Sequence, residues 1–288
     1  MPLRGRMGED MFRVKKVLNH NTLIGIDMKD SQEYLLIGKG IGFGRKVSER
    51  LDAPEGCTVY SLQEKTERGS AMDLIREIDP VFLEIAEQVL KEGERIFGKI
   101  DWNILFPMAD HIAFAVKRLK NGEQISNPLT GDIIALFHME YKAAECLRPI
   151  LRERLQVDID EHEIGYVALH IHSAIEDENV ALSMQIAGSV RECIRMVEEE
   201  TGQTIDIMSL AYNRLMNHVR YMTARAMTGE KLKLNMNDYM AVKFPDSFRL
   251  ASEICAHLSK HLRHPLEEAE IGYLAMHIER TIGDGPVE

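Results

Sequence analysis

The sequence has few of the features that mark secreted, fibrous or membrane proteins. Only 9 prolines and 20 glycines occur among its 288 residues, which excludes a collagen-like chain and argues against disorder. The longest apolar runs are a few residues, too short to span a bilayer. The four cysteines are far apart and form no C-x-x-C pair: Cys57, Cys146, Cys193 and Cys255. Because the opening MPLRGRMGEDMFRVKK also lacks the apolar core of a signal peptide, we expect reduced thiols in a cytoplasmic protein.

Positive charge is scarce in the chain as a whole but not near its start. The net charge is −11, whereas the segment from Phe12 to Arg50 holds eight basic and four acidic side chains and so carries +4. A basic binding module attached to an acidic body has this asymmetry. A chance fluctuation on a solvated surface explains the charges alone equally well.

Two motifs recur at one offset, which is the most specific feature of the sequence. EHEIGYVALHIHSA begins at Glu161, and EAEIGYLAMHIERT begins 107 residues later at Glu268, with eight identical positions. ADHIAFAVKRLKNG and MNHVRYMTARAMTG align at the same offset. The alignment places four residues of the first copy on their equivalents: His111 on His218, Arg118 on Arg225, Gly122 on Gly229 and His170 on His277. The chain therefore contains a duplicated module of about 107 residues, too long for a solenoid repeat.

Apolar residues in both motifs recur every three or four positions, which predicts helices. His170 and His172 then lie about 200° apart around a helix, so they are poorly placed to share a metal ion, and we expect no metal site. Five further helices are predicted near Ile78–Phe97, Gly131–Leu155, Leu182–Thr201, Ile205–Thr228 and Asp246–Leu262. Together they indicate two all-α bundles.

The amino-terminal segment has a different pattern. VKKVLNHNTLIGID and EYLLIGKGIGF predict antiparallel strands joined by turns. IGKGIGFGRK matches neither phosphate-binding glycine motif, so its glycines indicate bends or a close backbone approach. Lys39 and Phe43 lie between these glycines and offer a cation and a stacking ring to a nucleic acid. The alternative is a hairpin that has only a structural role. A β module of about 55 residues is marginal alone, so we expect dimerisation to help it.

These features resemble the bacterial transcriptional antiterminators of the sugar-phosphotransferase systems. The order of modules, the duplication and the DHIAFA and GY-x-A-x-HI motifs all agree, and KKVLNHN followed by LLIGKGIGFG is most similar to the glucose-type branch. The resemblance implies a multidomain protein: a small antiparallel β RNA-binding domain at 11–66 and two homologous helical-bundle phosphotransferase regulation domains at 67–180 and 181–288. It implies a non-enzymatic, cofactor-free homodimer that binds an RNA hairpin overlapping a terminator upstream of a sugar-uptake gene.

The resemblance also implies which residues act. The RNA-contact candidates are Lys16, Asn19, Asn21, Gly38, Lys39 and Phe43. The phosphorylation candidates are His111, His170, His218 and His277. The implied phosphoryl donors are the phosphocarrier protein HPr and a sugar permease of the glucose type. Asp110 precedes His111 and is able to orient its ring, whereas Asn217 holds that place before His218. The other histidines of the helical part, including His172, are expected to be structural.

Three other classes of function compete with this interpretation. Repeated histidines and acidic residues in an all-α protein also suit a metal-dependent phosphohydrolase of the HD type, but no His-Asp dipeptide occurs. Similar regulatory modules also occur behind DNA-binding heads, which makes a DNA-binding activator the second alternative. That reading requires a helix-turn-helix, and the first 66 residues lack a helical period. A purely structural dimer that sequesters a partner is a third possibility.

Overall fold

The computed structural model describes residues 11–54, 56–62, 65–66, 69–70, 75, 78–176, 179–206, 209–262 and 264–283. They form two compact units: one comprises Met1–Ser126 with Met139–Asp177, and the other comprises Asn127–His138 with Glu178–Glu288. Within the described residues no helix is both long and apolar enough to cross a bilayer. An antiparallel β sheet followed by helices agrees with the predicted fold class, while the three-domain division stays a prediction.

A five-stranded antiparallel sheet opens the first unit. Its strands are β1 (Met11–Val17), β2 (Thr22–Asp27), β3 (Glu33–Ile37), β4 (Arg50–Asp52) and β5 (Thr58–Ser61), in the order β4-β1-β2-β3-β5. A register shift between Val14 and Lys16 interrupts the β1–β2 pairing. Two short strands, β6 (Lys65–Thr66) and β7 (Gly69–Ser70), pair separately. Residues 11–54 and 56–62 contain strands and turns but no helix, so this part holds no helix-turn-helix for the DNA-binding alternative.

Both faces of the sheet are apolar and buried along β2 and β3, whereas β1 and β4 bury one face only. One face carries Phe12, Leu23 and Leu36 in a small core of its own. The other face, which includes Ile24 and Leu35, joins the core of the helices that follow. Helices of the same chain thus supply the apolar partner surface that a sheet of this size lacks alone.

The helices of the first unit come next along the chain. They are α1 (Pro80–Phe97), a 3₁₀ turn (Trp102–Ile104), α2 (Leu105–Lys120), α4 (His138–Ala144), α5 (Leu147–Leu155) and α6 (Glu161–Ile175), with His138 itself assigned to the second unit. Asp79 caps α1 by accepting from the backbone N–H of Val81, with proline in the first turn. Asp160 caps α6 through the N–H of Glu163. Both caps satisfy backbone donors that a helix start leaves open.

The second unit has the same kind of helical core. It contains α3 (Thr130–Leu136), α7 (Val180–Thr201), α8 (Leu210–Thr228), α9 (Asn237–Lys243), α10 (Pro245–Ser259) and α11 (Ala269–Gly283). Asn179 and Ser209 cap α7 and α8. Gly202 and Gly229 follow their ends with φ values of 69° and 78°, the left-handed conformation that glycine adopts without strain.

The prediction of one long helix near Gly131–Leu155 is wrong. Three short helices replace it, and Phe137 between the first two has a non-helical backbone at φ −119° and ψ 42°. The physical reason is that its two ends bury in different cores. Leu136 packs against the core of the second unit, whereas Ala143 and Leu147 belong to the core of the first. The other four predicted helices are confirmed with shifted ends; α8, for example, begins at Leu210 rather than Ile205.

Candidate functional site

Two loops of the sheet meet to form one surface, which we call the loop face: residues 18–21 and 38–44. The N–H of Gly38 donates to the carbonyl of Asn21, and the N–H of Gly42 donates to that of His20, both at 2.9 Å. The Asn21 side-chain oxygen accepts from the N–H of Gly40 at 2.8 Å. These bonds tie the asparagine turn to the glycine-rich loop, so the tertiary structure brings both groups of predicted RNA contacts together.

Gly42 is required by the approach of these two loops. A Cβ added there would lie 2.2 Å from the carbonyl oxygen of Asn19, a distance that real side chains do not adopt. The close backbone approach predicted from the glycine pattern is therefore confirmed at this position. Gly40 has a φ of 70° with open space around it, so its role is conformational.

The loop face exposes groups suited to nucleic acid. The Phe43 side chain is 70% exposed, and its ring centroid lies 5.3 Å from that of His20 in an edge-on arrangement. Lys39 is exposed, as is Lys16 in β1 two residues before the loop face, whereas Asn19 and Asn21 are partly buried. The surface thus combines cations, amides and an unstacked ring, the groups that contact phosphates, base edges and base faces.

The two histidines of the first repeat lie side by side on different helices. His111 on α2 and His170 on α6 have ring centroids 5.4 Å apart, and the Tyr166 ring lies 5.5 Å from His111. Glu163 extends from α6 so that its Oε2 lies 3.2 Å from Nε2 of His111. Its other oxygen accepts from Nη2 of Arg118 at 2.6 Å. The Glu163 side chain is only 1% exposed, so these partners compensate a buried charge.

The second repeat builds the same cluster from its equivalent residues. His218 on α8 and His277 on α11 stack with centroids 4.8 Å apart. Arg225 holds Glu270 by two parallel bonds, Nε to Oε1 at 2.7 Å and Nη2 to Oε2 at 2.9 Å. The Glu270 carboxylate is 3.7 Å from Nε2 of His218, and Tyr273 lies beside the same ring. Each of these residues is 107 positions from its counterpart in the first cluster, so the duplication preserved the arrangement as well as the histidines.

The environments of these groups shift their pKa values. Burial raises the pKa of Glu163. The His111 imidazole and the Arg118 guanidinium lower that pKa by more than burial raises it, so the net pKa is below the ordinary 4.5. Burial, with smaller contributions from His277 and Arg225, lowers the pKa of His218 from 6.5 to about 3. Burial likewise lowers the pKa of His277. The second pair is therefore neutral near pH 7, the form in which an imidazole nitrogen is nucleophilic.

The sequence interpretation missed the carboxylates of both clusters. It named Asp110 as the group able to orient His111, whereas the structure places Glu163 beside that ring. Their signal was present, because Glu163 and Glu270 are identical positions of the repeat, two helical turns before His170 and His277. His172 is 2% exposed with Nδ1 2.9 Å from Glu140, which agrees with a structural role.

Among the residues that the structure describes, no group of three or more His, Cys, Asp or Glu side chains is arranged to hold a metal ion. Each histidine cluster instead places two imidazoles beside one buried carboxylate, which is itself bonded to one arginine. This arrangement suits the handling of a negatively charged group better than it suits metal ligation.

Comparisons with known proteins identify the family. Residues 12–69 match the CAT RNA binding domain, and residues 84–174 and 191–281 each match the PRD domain. Protein GlcT of Staphylococcus haemolyticus is 32% identical over 276 residues, covering 94% of this chain and 96% of the relative. The GlcA/glcB genes antiterminator of Staphylococcus carnosus is 30% identical over 276 residues, covering 93% and 94%. The solved structure "Crystal structure of GlcT CAT-PRDI" is 32% identical and covers 57% of this chain and 98% of its own, with a TM-score of 0.49.

The three domain matches cover both the loop face and the two histidine clusters. The relative from Staphylococcus carnosus is by its name an antiterminator, which is a regulatory protein. The chain belongs to the phosphotransferase-system antiterminators that join a CAT RNA-binding domain to two PRD domains, and within them to the glucose-type branch.

Proposed function

We propose that the protein binds an RNA hairpin that overlaps a terminator upstream of a glucose-type uptake gene, and that histidine phosphorylation controls this binding. The RNA-binding domain spans 11–66, and the regulation domains span 67–180 and 181–288. One observation carries the proposal above all. The chain holds two equivalent clusters, each with a histidine pair, a buried carboxylate and an arginine, and its β sheet carries a loop face that presents a cation, amides and a ring.

The loop face supplies the chemistry for a single-stranded or looped RNA. Lys16 and Lys39 meet phosphates, Asn19 and Asn21 hydrogen-bond base edges, and Phe43 stacks on an unpaired base. Gly38 lets the backbone come close to the RNA. The contacts combine charge with shape and base recognition, so binding should weaken with salt but retain a preference for one hairpin class.

The phosphorylation candidates are His111, His170, His218 and His277. In the transfer, an imidazole nitrogen of this chain forms a P–N bond while the P–N bond of a phosphohistidine donor, or the P–S bond of a phosphocysteine donor, breaks. The phosphoryl group moves without water or a redox partner. We propose HPr and a glucose-type permease as the donors, in the cytoplasm, with a homodimer as the active form.

A phosphoryl group in these clusters changes the charge balance locally. Arg118 is bonded to Glu163, and the added phosphoryl oxygens compete for the same guanidinium. The buried Glu163 carboxylate then faces a second negative charge. Either the arginine or the helix that carries it must shift, which is the kind of local event that alters a module interface.

Two assays test the proposal on the full-length chain. The first incubates it with a random hairpin pool and sequences the retained RNA. We expect enrichment of one class and its loss in Asn21→Ala. No enrichment by the folded parent chain or by any folded variant that frees the loop face would remove the RNA assignment. The second supplies purified donors that already carry a labelled phosphoryl group and follows its incorporation into the chain. Permease-dependent labelling should fall in His111→Ala with His170→Ala, and the matched control His162→Ala on α6 should keep it. Undiminished labelling in the double variant would remove the histidine assignment.

A further inference from the structure

The two asparagines of the loop face are bonded to the regulatory part of the chain. Glu84 lies in the second turn of α1 (Pro80–Phe97), and its Oε1 accepts from Nδ2 of Asn19 at 2.7 Å. Its Oε2 accepts from Nδ2 of Asn21 at 3.1 Å. One carboxylate therefore engages the NH₂ groups of both asparagines among the residues that the family resemblance assigns to RNA.

The rest of each asparagine side chain is held within the loop face itself. The Oδ1 of Asn19 accepts from the N–H of Asn21, and the Oδ1 of Asn21 accepts from the N–H of Gly40, both at 2.8 Å. These bonds orient both NH₂ groups toward α1. Glu84 is 6% exposed, so a nucleotide cannot reach the same position while the carboxylate occupies it. RNA can therefore compete only for the hydrogen bonds between the two NH₂ groups and Glu84.

A cation from a third element supports this contact. Nη2 of Arg154, at the end of α5, donates to Oε2 of Glu84 at 2.7 Å. A buried carboxylate that faced only neutral amides would be costly, because amides repay its lost hydration poorly. The positive charge of Arg154 compensates the negative charge of Glu84. The Glu84 side chain thus joins the loop face, α1 and α5.

RNA offers the same kind of acceptor as Glu84. Phosphate oxygens and base carbonyls accept hydrogen bonds from asparagine NH₂ groups. A carboxylate offers acceptor oxygens of the same kind and shares its negative charge with phosphate. We infer that Glu84 is an internal substitute for RNA, which masks Asn19 and Asn21 until α1 separates from the loop face. This inference rests on the proposed function, since it takes a hairpin as the competing ligand.

The test compares Glu84→Gln with Glu87→Gln in the full-length chain. Both variants remove one buried carboxylate from α1, and Glu87 is paired with Lys91 rather than with the asparagines. Glu84→Gln removes the negative charge that attracts Arg154 and the NH₂ groups. The probe is the hairpin enriched from a random pool by the parent chain or by Glu84→Gln, at one fixed salt concentration.

We expect Glu84→Gln to bind this hairpin about tenfold tighter than the parent, because apparent affinity scales with the unmasked fraction. Glu87→Gln should bind like the parent. Equal affinity of Glu84→Gln and the parent would overturn the inference and leave the proposed function standing. An equal gain in both variants would also overturn it, since loss of any acidic charge would then explain the effect.

A measurement without RNA separates the two claims. Hydrogen exchange of the backbone amides in residues 19–42 should be faster in Glu84→Gln than in the parent and in Glu87→Gln. Unchanged exchange would overturn the contact itself. Faster exchange with no hairpin enriched by any variant would retain the masking of the asparagines but overturn RNA as the competing ligand, and with it the proposed function.

Discussion

Removing Arg118 should expose the energetic cost of the buried carboxylate in the first histidine cluster. Glu163 is 1% exposed and its Oε1 is bonded to Arg118 at 2.6 Å. Breaking a buried pair by removing one partner costs about 3–5 kcal/mol, since the other charge stays buried. The His111 imidazole, 3.2 Å away, compensates part of that charge when protonated. We therefore expect Arg118→Met to destabilise the first module by about 3 kcal/mol.

A double-mutant cycle isolates the pair from the loss of packing. Glu163→Gln removes the charge and should cost about 1–2 kcal/mol through weakened hydrogen bonds. Once the carboxylate is absent, Arg118→Met should cost much less, so the coupling energy is about 2 kcal/mol. Arg225→Met provides the matched control. Its cost should appear in the second module, where Glu270 is equally buried, and leave the first unchanged.

Hydrogen exchange of individual helices is the suitable assay, because a chain with two compact units need not unfold in one step. The opening free energy is read from the slowest amides of α2 and α6. A fall of less than about 0.5 kcal/mol in Arg118→Met, or simple additivity in the cycle, would refute the role of the ion pair.

The same pair predicts a pH dependence with a definite sign. The folded pKa of Glu163 lies below its ordinary 4.5, so the unfolded chain binds the proton more readily. The contribution to stability is complete above that ordinary pKa and is lost as the pH falls through the folded pKa. Opening of α2 and α6 should therefore become easier in acid, and Glu163→Gln should show a smaller dependence. An unchanged pH dependence in that variant would place its origin elsewhere.

Two further predictions concern the second cluster and the loop face. His218 should show no titration of its ring proton resonances between pH 5.5 and 8, because burial lowers its pKa to about 3, and a midpoint near 6.5 would contradict this. Since the unfolded chain takes up the proton first, this residue makes the protein less stable as the pH falls from 6.5 toward 3. Gly42→Ala should abolish hairpin binding while the circular dichroism stays that of the parent, because its Cβ would meet the carbonyl oxygen of Asn19. Gly131→Ala, whose Cβ meets nothing within 4 Å, should bind normally.

Local sequence patterns predicted much of this architecture. The strands before residue 62 and most helices follow from apolar periodicity, which depends on neighbours along the chain. The alignment of the two repeats also placed His111 and His170 in one module and His218 and His277 in the other. In the structure each of these pairs forms one cluster. The long helix through Phe137 could not be rejected in this way, because its apolar stripe is continuous and nothing local shows that two cores share it.

The sequence by itself determined the duplication, the order of a β module before two helical ones, and the histidines and loop residues to examine, because repeats and periodicity are one-dimensional properties. Only the tertiary structure decided which distant side chains meet them. Glu163 reaches His111 across 52 positions, and Glu84 reaches Asn21 across 63. Such contacts depend on how helices and sheet pack on a shared core, and packing is set by the whole fold rather than by any single segment.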